Sequence, residues 1–157
     1  MSRMRLAVTL LLLAAVSPLA AQSSPEAGKN EVLAVMKRLF DGMRAGDSAM
    51  VRSTFHSKIQ MTTALVREGA AVIEFGEADR FARAVGTPHA EAFDERVYNP
   101  IVQIDGSLAT IWTEYSFFRG GKFSHCGVDA FLLAKEAADW KIIAISDTRR
   151  KTGCRES

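Results

Sequence analysis

Residues 108–148 read LATIWTEYSFFRGGKFSHCGVDAFLLAKEAADWKIIAISDT, and this stretch decides the fold. It is built from runs of β-branched and aromatic residues punctuated by turn signals. GG at 120–121 predicts a two-residue hairpin, because positive φ is cheap at glycine. DG at 105–106, just upstream, predicts another, and EAAD at 136–139 a looser four-residue turn. Strands over 93–104, 108–119, 122–135 and 140–148 then form an antiparallel meander.

Upstream of the meander the period changes. Val32, Leu33, Met36, Leu39, Phe40 and Met43 recur at three- and four-residue spacing, which is a helix face. Asn30 is its expected N-cap and Gly46 its stop. Asp47 caps a second, shorter helix through about Thr54 that buries Met50, Val51 and Phe55. The methionine pair Met43 and Met50 reads as core at this spacing. Residues 59–63 form a short strand, and ALVREGAAVIEF at 64–75 a second, with its turn near Glu68-Gly69. Gly76 opens a third helix, EADRFARAV, with Phe81 and Val85 facing in, and Gly86-Thr87-Pro88 ends it. Helices followed by a run of strands give an α+β class.

The first 21 residues stand apart. Two arginines, an apolar run over 6–16, Pro18 and then small residues make a secretory signal peptide, with cleavage expected after Ala21. The run is too short for a membrane helix, which needs about 20 residues. No membrane span is expected after cleavage, and no cysteine marks a lipid anchor. Residues 22–29 are polar and are expected to be a disordered linker. Residues 30–149 are one domain, and 150–157 a C-terminal tail.

Arg3 and Arg5 leave with the leader, so Lys+Arg falls from 20 to 18 against 18 Asp+Glu. The mature chain is formally neutral. The pI near 8.7 of the whole chain therefore overstates its basicity. No basic stripe with interleaved aromatics exists, so nucleic acid is excluded as the expected partner. Export, to the periplasm or beyond, implies an oxidising compartment. Cys126 and Cys154 are then candidates for one disulfide, which would pin the tail.

Tight turns fix register, so the strands can be paired on paper. Residue 104 opposite 107 puts Asn99 across from Trp112. Residue 119 opposite 122 puts Ser116 across from His125, and Trp112 across from Asp129. Residue 135 opposite 140 puts Asp129 across from Ser146. Alternation then places Asn99, Trp112, Glu114, Ser116, His125, Asp129, Phe131, Leu133, Trp140, Ile142, Ser146 and Thr148 on one face. The opposite face, with Ile111, Tyr115, Phe117, Cys126, Val128, Leu132, Ile143 and Ile145, is nearly pure hydrocarbon. Glu114 lies diagonally between His125 and Asp129, with Gly127 leaving space opposite it.

The order of elements resembles the cone-shaped α+β fold of nuclear transport factor 2, with three N-terminal helices packed on a curved, mostly antiparallel sheet. RAGDSAMVRSTFH at 44–56, IWTEYSFFRGGKFSHCGVDAFLLAK at 111–135 and DWKIIAISDTRR at 139–150 carry the likeness. They look like the branch labelled "putative lumazine-binding", close to the SnoaL-like proteins. Ile111, Tyr115, Phe117, Val128, Ile143 and Ile145 are expected to form an exposed apolar patch on a monomer, and sheet-to-sheet pairing is common in proteins of this resemblance, so a homodimer is expected. The resemblance does not settle chemistry, because that superfamily holds isomerases, cyclases, dehydratases, hydrolases and non-catalytic members. The base aspartate and helix tyrosine of a ketosteroid-isomerase-like enzyme would fall near Thr63 and Leu39, so that pattern is absent.

Three readings follow. The first is an exported small-molecule-binding protein. Its pocket is lined by Asn99, Trp112, Glu114, His125, Asp129, Trp140 and Ser146, and takes a small hydrophobic or aromatic ligand. The second is an enzyme using Glu114, His125 and Asp129 for acid–base work. The third is a dimeric accessory protein with an incidental cavity. No cofactor is expected. A metal site built from His56, His125 and Asp129 has no supporting spacing, so none is expected. His89 sits in a loop and carries no signal.

Overall fold

The computed structural model describes residues 25–88 and 91–155. Three helices pack on one face of a six-stranded curved sheet. The chain runs α1 (Pro25–Ala45), α2 (Ser48–Thr54), β1 (Phe55–Arg67), β2 (Ala70–Gly76), α3 (Ala78–Gly86), β3 (Phe93–Asp105), β4 (Leu108–Arg119), β5 (Lys122–Glu136) and β6 (Asp139–Arg149). The sheet order is β2-β1-β6-β5-β4-β3. Among the described residues only the β1–β6 pair is parallel.

α1 begins at Pro25, five residues before the expected cap at Asn30, so 25–29 are helix rather than linker. Proline suits the first turn of a helix, where its missing N–H has no partner to lose. The expected signal peptide over 1–21 and the loop residue His89 lie outside the described residues. Gly46 ends α1 at φ +67, and Asp47 caps α2 by accepting from the Met50 N–H at 2.8 Å. The two expected short strands at 59–75 are one long hairpin, β1–β2, turning at Glu68-Gly69 with both residues at positive φ.

The core lies between α1 and the concave sheet face. Val32, Met36, Leu39, Phe40 and Met43 from α1 meet Ile111, Phe131, Leu133, Trp140, Ile142 and Ile145. The Arg44 Nε donates to Asp94 Oδ1 at 2.9 Å and ties the end of α1 to β3. That end of the helix therefore roofs the start of β3.

Candidate functional site

Three bulges decide which side chains meet on the concave face. On β5, Phe118 pairs with Phe123 but Phe117 with His125, so Ser124 is an extra residue. On β6, Leu133 pairs with Ile142 but Leu132 with Ala144, so Ile143 is extra. On β3, Asn99 and Pro100 together face Thr113. Proline has no N–H to give the ladder, and Asn99 sits at φ +52. The Thr113 hydroxyl donates to the Tyr98 carbonyl at 2.9 Å and closes the gap. The β3–β4 loop is also Gly106-Ser107 rather than Asp105-Gly106, since Asp105 pairs with Leu108.

A one-residue bulge inverts every side chain beyond it relative to its partner strand. The expected face for β5 holds: His125, Asp129, Phe131 and Leu133 point toward the helices. The expected partners on β4 do not. Tyr115 and Phe117, expected on the opposite face, join His125. The rings of Tyr115 and His125 meet edge-on at 5.7 Å, and Phe117 and His125 lie 5.1 Å apart. Asp129 faces Asp147 instead of Ser146.

The result is a polar cluster at the inner end of a small cavity. Glu95 comes from β3, Tyr115 from β4, His125 and Asp129 from β5, and Asp147 and Arg149 from β6. Leu39, Phe40 and Met43 of α1, Phe81 of α3 and Met61 of β1 line the rest of it. The cavity measures about 70 Å³. Pockets that enclose drug-sized ligands run to about 300–1,000 Å³, so this one takes a small group.

Asp147 is held from three sides. Thr63 donates to its Oδ1 at 2.5 Å, and Arg149 and Tyr115 donate to its Oδ2 at 2.6 and 3.4 Å. The Tyr115 hydroxyl also reaches the Thr148 carbonyl at 2.9 Å. Asp129 differs. Its Oδ2 is buried, and no N–H or hydroxyl of the protein donates to it. A bare carboxylate there would be costly. Its neighbour is the carboxyl of Glu95, and a proton between them makes the contact favourable.

The electrostatics follow. Burial, then the Glu95 charge, pushes Asp129 well above the usual carboxylate range. Burial also raises Glu95, to about 7, against the hydrogen bond it accepts from Asp129. Burial raises the Tyr115 phenol, and the Asp147 charge adds to this. Burial, helped by Arg149, lowers His125, which is therefore a neutral imidazole at pH 7. The arrangement can offer one neutral acid, one carboxylate near its midpoint and a neutral imidazole to a ligand in the cavity.

Of the residues expected to line the site, His125 and Asp129 are brought together. Trp112, Glu114 and Ser146 are not, since they lie on the convex face. Trp112 and Glu114 are exposed there, and Ser146 meets the Thr62 hydroxyl at 2.7 Å. Asn99 is exposed at the β3 bulge. Trp140 keeps the concave face but sits in the core, where its Nε1 donates to Glu31 Oε2 at 3.3 Å. The space expected across from Gly127 is filled by the Tyr115 ring and the Thr148 carbonyl. His56 lines a separate groove with Arg52, Glu77 and Asp79. Among the described residues no group of three His, Cys, Asp or Glu side chains could hold a metal ion. Leu39 and Thr63, at the positions where an isomerase pattern would need tyrosine and aspartate, do meet the cavity wall and Asp147 respectively.

Glu95, Tyr115, Asp147 and Arg149 were not legible as site residues. Pro100 was the one usable signal, since a proline inside a strand run marks a bulge. Cys126 and Cys154 form a disulfide, and Cys126 bridges Arg150 on the backbone. The Ser116 hydroxyl donates to the Arg155 carbonyl at 2.6 Å, so the tail is fastened to the convex face.

A curved sheet roofed by three helices, with its polar cluster at the end of the cavity, defines a nuclear transport factor 2-like protein. The sequence profile of the family described as "Putative lumazine-binding" matches residues 27–146, and the chain belongs to that family. Solved structures agree in fold. A nuclear transport factor 2-like protein of unknown function from Shewanella baltica superposes with a TM-score of 0.64 at 12% identity, over 83% of this chain and 100% of that one. A cystatin-like-fold protein of unknown function from Nostoc punctiforme gives 0.63 at 13%, over 82% and 95%. A "putative dehydratase" from Streptomyces avermitilis gives 0.60 at 13%, over 81% and 99%. At such identities the likeness carries the fold alone. No curated protein matches the chain in sequence.

Proposed function

We propose that this protein binds a small, largely apolar molecule in the cavity beneath α1, gripping one polar group of it with Asp129, Glu95 and His125. One observation carries the reading: Asp129 Oδ2, buried in the cavity wall with no donor from the protein. A buried acceptor without a donor costs about 1–3 kcal/mol, and a ligand donor recovers that. The apolar wall supplies the rest of the binding free energy. The leader-like segment at 1–21 supports export, so the ligand is met in the periplasm or outside the cell. Two copies pairing through the convex face belong to the same proposal.

A second reading, acid–base catalysis, is favoured by Glu95, whose midpoint near 7 suits a general base at neutral pH. His125 and Asp129 keep their expected places in it, and Glu95 takes the role expected of Glu114.

Native mass spectrometry of the gently purified protein tests the first reading. Extra mass that leaves on denaturation, and is missing from Asp129→Leu, is the expected result. A clean wild-type spectrum overturns it in favour of turnover, since a substrate that is converted does not stay.

A further inference from the structure

The charges around the cavity say what kind of polar group it takes. Every element packed on the cluster contributes. β3 brings Glu95, β4 Tyr115, β5 His125 and Asp129, and β6 Asp147 and Arg149, while β1 brings Thr63 and Met61. α1 and α3 bring only Leu39, Phe40, Met43 and Phe81. Three carboxyls therefore face one guanidinium. That guanidinium is committed, with its Nε 2.6 Å from Asp147 Oδ2. Among the described residues no Lys, Arg or His lies within ion-pair distance of Glu95 or Asp129. Only a proton neutralises that pair, and buried charge without a partner is strongly unfavourable.

From this geometry we infer that the site takes a small organic cation, an alkylammonium group, whose N–H bonds bridge Glu95 and Asp129 in place of their shared proton. The inference rests on the binding reading above and names its ligand class. Asp129 Oδ2 is the acceptor that awaits the new donor. The wall fits the rest of the ion. Phe40 and Phe131 pack edge to face at 6.0 Å beside the cluster, with Phe81 on the same wall, and aromatic faces attract cations. The volume, about 70 Å³, limits the guest to a head group with a short aliphatic body.

A cation that replaces a proton makes binding proton-linked. The Glu95 midpoint of about 7 then sets the range in which affinity changes. As Glu95 loses its proton between pH 6 and 8 and the proton still shared with Asp129 becomes easier to displace, affinity for an ammonium ion rises by at least about tenfold.

Three probes with one carbon skeleton test this by calorimetry on the disulfide-bonded protein: isobutylammonium, isobutanol and isobutyrate. Isobutylammonium should bind at least about tenfold tighter than isobutanol, isobutyrate should not bind, and the heat should differ between Tris and phosphate because protons are released. Asp129→Asn should abolish the preference, and Glu95→Gln does the same if the first variant fails to fold. Isobutanol binding as tightly as isobutylammonium overturns the cation inference but keeps the binding reading. Tightest binding of isobutyrate, or affinity that falls from pH 6 to 8, also overturns it. Failure of all three probes on a protein that still yields a native-bound mass overturns the cation inference alone. Failure on a clean protein overturns both.

Discussion

Asp129 and Asp147 stand directly opposite each other on β5 and β6, and the sheet treats them in opposite ways. Asp147 accepts from Thr63, Arg149 and Tyr115. Asp129 Oδ2 accepts from nothing in the protein. Its other neighbour is Glu95, which is itself raised to about 7. Adjacent carboxyls of one row have thus been sorted into one held by three donors and one that shares a proton.

This sorting fixes how stability depends on pH. An acid whose folded midpoint lies above its unfolded one binds more protons in the folded state. Stability contributed by its proton is present below the unfolded midpoint and is lost as pH rises through the folded one. For Glu95 that window runs from the ordinary 4.5 to about 7, and Asp129 acts in the same direction above it. The carboxylates that are lowered, Glu31, Asp41 and Asp94, act in the acid range and do not mask it. His125, lowered by burial, acts the other way up to its ordinary 6.5 and offsets part of this, so denaturant unfolding should show the protein less stable at pH 8 than at pH 5 by on the order of 2 kcal/mol. Glu95→Gln should flatten the profile. A wild-type stability that climbs between pH 5 and pH 8 would show that the pair holds no proton.

Gly127 is the tightest point of the site. A Cβ there would meet the Thr148 carbonyl oxygen at 1.8 Å and Cε1 of Tyr115 at 2.9 Å. The obstacle is backbone and cannot swing aside. Gly127→Ala must push β6 away from β5, breaking the Tyr115–Thr148 hydrogen bond and moving Asp147 and Arg149 with it. The expected loss is about 3 kcal/mol or more, measured by denaturant unfolding, against about 1 kcal/mol for Tyr115→Phe, which removes only the hydroxyl. A Gly127→Ala variant within about 1 kcal/mol of wild type would contradict the close approach.

Gly127 also shows where reading the sequence stops. The elements were legible because their signals are local: the heptad-like face of α1, the Asp47 cap, and the GG turn that sets Arg119 against Lys122. The site depends on parity across strands, which a single unsignalled residue inverts. Nothing about Ser124 or Ile143 distinguishes them from their neighbours in a strand run. His125 and Asp129 share β5, so placing them on one face needs no cross-strand register. The Ser124 bulge, which carries no sequence signal, takes Glu114 off the His125 face and puts Tyr115 there instead. The residues that complete the cluster come from the far sides of three bulges.

The same inversion relocates the expected dimer face. Ile111 and Tyr115, expected to be exposed, are buried under the helices, and Ile145 is nearly so. Three of the exposed large apolar side chains lie instead on one convex row that crosses all six strands, Ile101, Trp112, Ala130, Ser146, Thr62 and Phe75. Ile101 is 60%, Trp112 55% and Phe75 84% exposed. Large apolar side chains at both ends of the row flank small ones at its centre, and exposed apolar patches of this kind mark interfaces. Light scattering at micromolar concentration should give twice the chain mass. Trp112→Arg should give the single-chain mass, because it places a charge where a partner's apolar surface would bury it. The monomer's own core does not use Trp112, so the variant should keep the wild-type fold by circular dichroism. A wild-type protein that runs as a monomer would overturn the pairing through the convex row.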